Sequence, residues 1–162
     1  MYDVAVVGAG VGGYPAAIYL ARHGLKVAVI EEHLLGGECT NYGCVPSKAL
    51  YNVAEAFRTI EKIGGNANID WSSLSKWVSS VVSKTRNGIE YLLESYGVDI
   101  INSKAILKTN AEIKIGNNTV SSKNTILALG TDPMPLPIMN FDGKHVLSNR
   151  EIFYMDEKPE KY

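Results

Sequence analysis

Two cysteines stand close together in this 162-residue sequence, Cys39 and Cys44, with four residues between them. Such a pair can form a disulfide, bind a metal, or pack as two unrelated buried thiols. Zinc sites usually have shorter spacings and a second ligand pair, and none follows here, so we predict no metal site. A disulfide requires a bend, because residues five apart in a regular helix are separated by about 7.5 Å along its axis. Gly43 permits that bend.

The second cysteine is expected at the start of a helix. Pro46 suits the first turn of a helix that begins near Cys44, since proline lacks the N–H that is unpaired there. A helix N-terminus, with Lys48 nearby, stabilises a thiolate. A poised redox pair is therefore predicted, and two unrelated thiols remain the alternative.

A glycine pattern precedes the cysteines and is typical of a phosphate-binding loop. Gly8, Gly10 and Gly13 form G-x-G-x-x-G between a predicted strand and a predicted helix, whose N-terminus favours an anion. Glu31 follows about 20 residues later, at the end of the next strand, where an acid accepts hydrogen bonds from a ribose. The alternative is a glycine-rich turn with a surface glutamate. The loop alone does not distinguish NAD from FAD.

The hydrophobic periodicity predicts alternating strands and helices that would position these loops. We predict strands at 2–7, 26–30, 98–101, 105–108, 112–115, 119–121 and 124–128. We predict helices at 11–23, from about 44 to 63, and over an apolar stripe from Leu74 to Tyr96. The first strand, helix and strand form a βαβ unit, whose strands should be parallel. The charged tail from Asp156 shows no regular pattern.

Composition narrows the class of protein. The chain is 46% hydrophobic with a formal net charge of −1, which favours one compact domain and gives no reason to expect nucleic acid as a partner. No apolar run approaches the roughly 20 residues that span a bilayer, so no membrane partner is predicted. The strand at residue 2 and the single local cysteine pair lead us to expect a cytoplasmic protein.

A longer stretch around the cysteines identifies a family by resemblance. Residues 36–48, GGECTNYGCVPSK, resemble the active-disulfide signature of the pyridine nucleotide-disulfide oxidoreductases. Residues 125–133, TILALGTDP, are similar to that family's second flavin-domain motif. The resemblance implies an α/β fold, a Rossmann-like parallel sheet with helices and a small antiparallel β excursion. Residues 1–162 would be the N-terminal part of an FAD-binding domain of the glutathione reductase type.

The resemblance also implies roles for individual residues. Cys39 would be the thiol that meets a dithiol substrate, Cys44 the charge-transfer thiol against the flavin, and Lys48 a neighbour of the reactive flavin nitrogen. The other implied FAD contacts are Gly8, Gly10, Gly13, Glu31, Gly37 and Gly130. Electrons would pass from dihydrolipoamide, free or on a carrier protein, through the disulfide and FAD to NAD. The cofactors supply the hydride chemistry.

Several parts of such an enzyme would lie outside this sequence. The resemblance places the NAD-binding domain, the dimerisation domain and the partner subunit's acid-base His-Glu pair in a chain two or three times as long. We therefore expect a homodimer for the full-length protein and little turnover from these residues alone. Ser47 favours a dihydrolipoyl dehydrogenase or a mercuric reductase over a glutathione reductase, whereas Glu38, Tyr42 and Leu129 depart from the usual pattern. A mercuric reductase, a glutathione reductase and a non-catalytic FAD-binding fragment remain alternatives.

Overall fold

A computed structural model describes residues 1–109, 111–155 and 157–158. The irregular tail predicted from Asp156 lies outside these residues, apart from positions 157 and 158. By its internal contacts the chain divides into two compact units. The first unit is Met1–Thr40 with Thr85–Thr131, and the second is Asn41–Lys84 with Asp132–Tyr162.

The predicted βαβ unit is present at the start of the first unit. Strand β1 is Tyr2–Val7, helix α1 is Gly13–Arg22 and strand β2 is Val27–Glu31, and the two strands are parallel with Val4 opposite Val27. Helix α1 begins two residues later than predicted, because the turn before it is closed by the Gly13 N–H donating to the Gly10 carbonyl at 2.9 Å. Pro15 lies in its first turn, where the missing N–H of proline costs no helical hydrogen bond.

The strands form one six-stranded sheet. Beyond β2 the strands are β3 at Asp99–Asn102, β4 at Ala105–Leu107, β5 at Glu112–Ile115 and β6 at Asn118–Leu127. Their order is β3-β2-β1-β6-β5-β4, with parallel pairing from β3 to β6 and antiparallel pairing from β6 to β4. The predicted mixture of a parallel sheet and a small antiparallel excursion is confirmed.

One strand corrects the prediction of two. The segments predicted at 119–121 and 124–128 are a single strand, β6, which pairs with β5 through its first half and with β1 through its second. The polar residues between the two segments, Ser122 and Lys123, resemble a break between two strands. Ser122 is buried and lies 3.3 Å from the Thr125 hydroxyl, while the Lys123 ammonium contacts the Asp3 carboxylate at 2.7 Å. A neighbour on the same strand and a partner 120 residues away therefore satisfy the polar groups at this point.

The core of the first unit lies on both faces of the parallel strands. Val4 and Val6 belong to one cluster of buried side chains, whereas Ala5 and Val7 belong to another, because successive side chains of a strand point to opposite faces. The first cluster also contains Ala17 of α1 and Ile89, Leu93 and Val98. The second contains Ile30, Ile113 and Val120. Both faces are thus covered, as expected for parallel strands.

Four helices complete the described structure. They are α2 at Gly37–Tyr42, α3 at Cys44–Lys62, α4 at Trp71–Ser95 and α5 at Asn149–Ile152. Helix α3 has the predicted bounds to within one residue. The apolar stripe of α4 is narrower than predicted, since its buried members are Val78, Val82, Ile89 and Leu93. Trp77 and Leu92 flank these residues and are 44% and 43% exposed.

Two short helices, α2 and α5, were not predicted. A capping box marks α5, in which the Ser148 side chain accepts from the Arg150 N–H and the Glu151 carboxylate accepts from the Ser148 N–H. The Ser-x-x-Glu pattern at 148–151 is the signal that could have revealed this helix. Within the described part of the chain, no helix combines the length and apolarity needed to cross a membrane.

Candidate active site

The glycine loop joins β1 to α1 and is packed too closely for side chains at two of its positions. Gly8 has φ +98°, and a Cβ there would lie 2.1 Å from the Ala128 carbonyl oxygen. A Cβ on Gly13 would lie 1.8 Å from the Gly8 carbonyl oxygen. These two glycines therefore allow strand, loop and helix to approach one another.

The middle of the loop is open instead of crowded. A Cβ on Gly10 would meet nothing nearer than the Gly37 Cα at 3.8 Å, and Gly12, which caps α1, contributes no side chain. Among the described residues, the backbone N–H groups of Val11 and Gly12 have no protein acceptor. Unpaired N–H groups at the start of a helix bind anions, so the loop fits a phosphate or pyrophosphate.

The acid at the end of β2 is tied to this loop. One oxygen of the Glu31 carboxylate accepts the Ala9 N–H at 2.8 Å, and the other accepts the His33 N–H at 2.9 Å. Because each carboxylate oxygen can accept a second hydrogen bond, Glu31 can still bind a ligand hydroxyl. Sequence reasoning found this acid but not its structural contacts.

A cleft of about 420 Å³ adjoins Glu31 within the first unit. Its lining includes Arg86 and Glu90 from α4 and Asn102 from the end of β3, together with Leu35. Asn102 lies directly opposite Glu31 in the parallel pairing of β2 and β3. The sequence could have indicated Asn102, since ligands bind outside the carboxyl ends of parallel strands. Arg86 and Glu90 carried no comparable signal.

The cysteine segment starts against the glycine loop. The Gly36 N–H donates to the Ala9 carbonyl at 2.8 Å, and a Cβ on Gly37 would lie 2.7 Å from the Gly10 Cα. Gly36 and Gly37 have φ of +90° and +58°. The backbone therefore packs against one side of the glycine loop at the point where α2 begins.

The two cysteines are joined in a disulfide. Both are disulfide-bonded and the sequence holds no other cysteine, so Cys39 of α2 pairs with Cys44 of α3. Gly43 separates the two helices with φ −142° and ψ −104°, which is the predicted bend. Cys44 is the first residue of the 19-residue helix α3, whose first turn holds Pro46 and no acidic residue. This is the position at which a helix N-terminus stabilises a thiolate.

Two other predicted site residues, Lys48 and Gly130, lie at exposed positions. Lys48 is exposed on α3, and its ammonium lies 5.7 Å from the centre of the Tyr51 ring. Gly130 is exposed, with φ +70°, three residues beyond β6. The structure does not test the roles expected for either residue, which stay predictions.

One family model and two known enzymes match nearly the whole of this chain. The sequence model described as pyridine nucleotide-disulphide oxidoreductase matches residues 2–161. A dihydrolipoyl dehydrogenase of Chlorobaculum tepidum is 37% identical over 98% of this chain and 36% of that protein. Another, from Acholeplasma laidlawii, is 32% identical over 98% of this chain and 50% of its own length. The chain thus spans half or less of the length of these relatives.

A solved structure has the same fold. The HOCl-induced flavoprotein disulfide reductase of Escherichia coli superposes with a TM-score of 0.81, covering 96% of this chain and 34% of that one. The two sequences are 24% identical, so the likeness shows the arrangement of strands and helices. It agrees with the predicted Rossmann-like sheet.

Proposed function

This chain belongs to the pyridine nucleotide-disulphide oxidoreductase family, and from that premise we propose that it is the FAD-binding, disulfide-carrying part of a dithiol oxidoreductase. We propose dihydrolipoamide as the dithiol and NAD as the final acceptor. The relatives that support this choice are dihydrolipoyl dehydrogenases of which the chain covers 36% and 50%. The NAD site and the dimer interface would lie in the parts of the full-length protein that correspond to the uncovered portions of these relatives.

One observation carries the proposal. Gly37 abuts Gly10 so closely that a Cβ would lie 2.7 Å from its Cα, and Cys39 follows two residues later. The redox disulfide is therefore continuous with the loop that fits a pyrophosphate. A cofactor anchored by that loop would have its reactive end within reach of a dithiol centre.

The described residues fit FAD at its nucleotide end. The unpaired N–H groups of Val11 and Gly12 would hold the pyrophosphate, and Glu31 would accept a hydrogen bond from the adenosine ribose. We place Gly37 and Gly130 beside the cofactor as well, and Lys48 near its ring. Bound FAD would supply two-electron chemistry that protein side chains lack.

The two cysteines would exchange with the substrate in two balanced displacements. A substrate thiolate attacks the Cys39 sulfur, the Cys39–Cys44 bond breaks, and the Cys44 sulfur leaves with the electron pair as a thiolate. The second substrate thiolate then displaces Cys39, which closes the substrate disulfide and leaves both electrons on the cysteine pair. The helix N-terminus at Cys44 stabilises the leaving thiolate. We place the base that receives the substrate protons on the partner subunit of a homodimer.

We also propose that the full protein works in the cytoplasm on a dithiol that is free or attached to a carrier protein. The local cysteine pair supports this location, because secreted disulfide frameworks use several distant pairs. A net charge of −1 gives no electrostatic support for nucleic acid as a partner.

The proposal is tested by loading the chain with FAD and then adding dihydrolipoamide. We expect flavin to coelute with the chain and two thiols to be released from the Cys39–Cys44 disulfide, counted by alkylation and mass measurement. A Cys39→Ser variant is the control, since it should retain flavin without forming the disulfide. A wild-type chain that retains no FAD, or whose disulfide survives excess dihydrolipoamide, contradicts the proposal.

A further inference from the structure

The residues between the two cysteines are held by a distant segment of the second unit. The Asn149 amide donates to the Tyr42 carbonyl at 2.9 Å, and the Tyr154 hydroxyl donates to the Asn41 carbonyl. Both acceptors belong to the last turn of α2, where carbonyls have no partner within the helix. Asn149 and Tyr154 thus satisfy backbone groups that lie inside the disulfide loop.

Side chains reinforce the same attachment. The ring of Tyr154 meets the ring of Tyr42 edge to face, with centroids 6.1 Å apart. The Arg150 guanidinium lies 5.6 Å from the centre of the Tyr42 ring and pairs with Asp132 at 2.6 Å. Aromatic and cation–π contacts of this kind favour one orientation of Tyr42.

The holding segment is itself anchored. We call residues 148–155 the clasp. Its first residue is part of the capping box of α5, and at its other end the Met155 carbonyl accepts the Trp71 indole N–H at 3.0 Å. The contacts of the clasp with the disulfide loop join residues 107 and 113 positions apart in sequence. The segment is therefore a tertiary support for the loop and not part of the local turn.

We propose that the clasp positions the redox disulfide, so that Asn149 and Tyr154 set how readily the Cys39–Cys44 bond opens and closes. The inference rests on the proposed function. After reduction the two sulfurs are no longer bonded, and only the backbone keeps them near each other. A loop held at Asn41 and Tyr42 has lost conformational freedom already, so closing the disulfide costs less entropy. The clasp therefore favours the oxidised pair.

The chain is tested in mixtures of reduced and oxidised dithiothreitol. Each dithiothreitol molecule gives two electrons and two protons to the cysteine pair and closes its own ring disulfide, so the exchange is balanced. For Tyr154→Phe and for Asn149→Ala we expect the equilibrium to shift about tenfold toward the dithiol, which corresponds to about 30 mV. Matched controls are Tyr91→Phe and Asn52→Ala, both at exposed helix positions, and neither should shift it.

Thermal unfolding of each variant separates positioning from simple stabilisation. If the clasp stabilised the oxidised and reduced chains equally, both melting temperatures would fall and the exchange equilibrium would stay at the wild-type value. That result overturns the inference and leaves the proposed function intact. A wild-type pair that does not exchange at all overturns both. A shift in either clasp variant, with unchanged controls, supports the positioning role even where the other variant is too unstable to measure.

Discussion

The carboxylate of Glu31 accepts a hydrogen bond from the backbone N–H of Ala9 at 2.8 Å. The acid at the end of β2 thereby fixes the glycine loop that leads from β1 into α1. Its other oxygen accepts the His33 N–H, so the same side chain also orders the start of the next loop. Glu31 is part of the loop's architecture as well as a candidate ribose ligand.

Replacing Glu31 by alanine should weaken FAD binding by about 1–3 kcal/mol, the range for a lost charge-assisted hydrogen bond. Isothermal titration of FAD into the chain measures the change. Glu32→Ala is the matched control, because Glu32 is adjacent and exposed. Glu31→Gln should fall between wild type and alanine, since the amide keeps one acceptor oxygen. Equal FAD affinity in all four proteins would refute the ribose contact.

Two glycines of the loop should respond differently to alanine. Gly13→Ala places a Cβ 1.8 Å from the Gly8 carbonyl oxygen, and we expect a loss of about 1–3 kcal/mol or more in unfolding free energy. Gly10→Ala meets no atom within 3.4 Å of the new Cβ, the nearest being 3.8 Å away, so the fold should tolerate it. That methyl group would instead occupy space needed by a pyrophosphate, and FAD affinity should fall about tenfold or more.

Urea unfolding and FAD titration, applied to the same variants, check this separation. Gly88→Ala is the control, because Gly88 is exposed on α4 and a Cβ there would meet no atom within 4 Å. A Gly10→Ala chain that binds FAD like wild type would show that the pyrophosphate does not lie over this glycine. A stable Gly13→Ala chain would contradict the close packing of β1 against α1.

The two cysteines should be distinguishable in the flavin-loaded chain after reduction of the disulfide. We expect Cys44→Ser to abolish long-wavelength charge-transfer absorbance, because a serine hydroxyl stays protonated and is a poor donor. Cys39→Ser should keep that absorbance, since Cys44 remains at the start of α3. Absorbance spectra of both variants decide the assignment. A band that persists in Cys44→Ser would reverse the roles of the two sulfurs.

Asp142 should make stability depend on pH in the acidic range. Backbone N–H groups of Val146, Lys144 and His145 bind its carboxylate and hold the pKa of Asp142 well below its usual 3.8. A lowered pKa means that the folded chain favours the charged form. The stabilisation is therefore complete above the usual pKa and is lost as pH falls toward the folded-state value.

Asp142→Asn tests this dependence, because asparagine is uncharged at every pH. We expect the wild-type chain to be the more stable of the two at about pH 7, and the difference in stability to shrink at acidic pH as Asp142 itself becomes neutral. Urea unfolding at several pH values measures the difference. Glu61→Gln, at an exposed position of α3, is the control. A stability gap that is constant with pH would argue against the charge as its source.

Local patterns predicted most of the first unit. The run Tyr2–Val7 and the segment after Gly24 are confirmed as parallel strands, because continuous burial on both faces leaves a continuous apolar sequence. The continuity of β6 was missed because polar residues interrupt its apolar pattern. Ser122 and Lys123 are satisfied by Thr125 and by Asp3, and a partner 120 residues away is invisible to a sequence window.

Sequence patterns predicted only part of the candidate site, because only some of its residues stand at a fixed spacing. Its glycines, Glu31 and the cysteines occur at spacings that follow from one turn, one strand or one disulfide, so a pattern reveals them. Asn149 and Tyr154 reach the cysteine loop only through tertiary contacts. Arg86 likewise enters the cleft beside Glu31 from a different helix. No fixed spacing relates these residues to the motif they support.

Because β6 pairs with both β5 and β1, insertions and deletions within this strand are constrained. At its far end Ala128 donates to the Val7 carbonyl and its own carbonyl faces Gly8, so the glycine loop depends on where this strand ends. An inserted residue within Ser122–Leu127 would turn every later side chain to the opposite face. The exposed turn at Gly116 and Asn117 carries no such constraint. Natural variants of the domain should therefore gain or lose residues at that hairpin and keep the length of the parallel half of β6 constant.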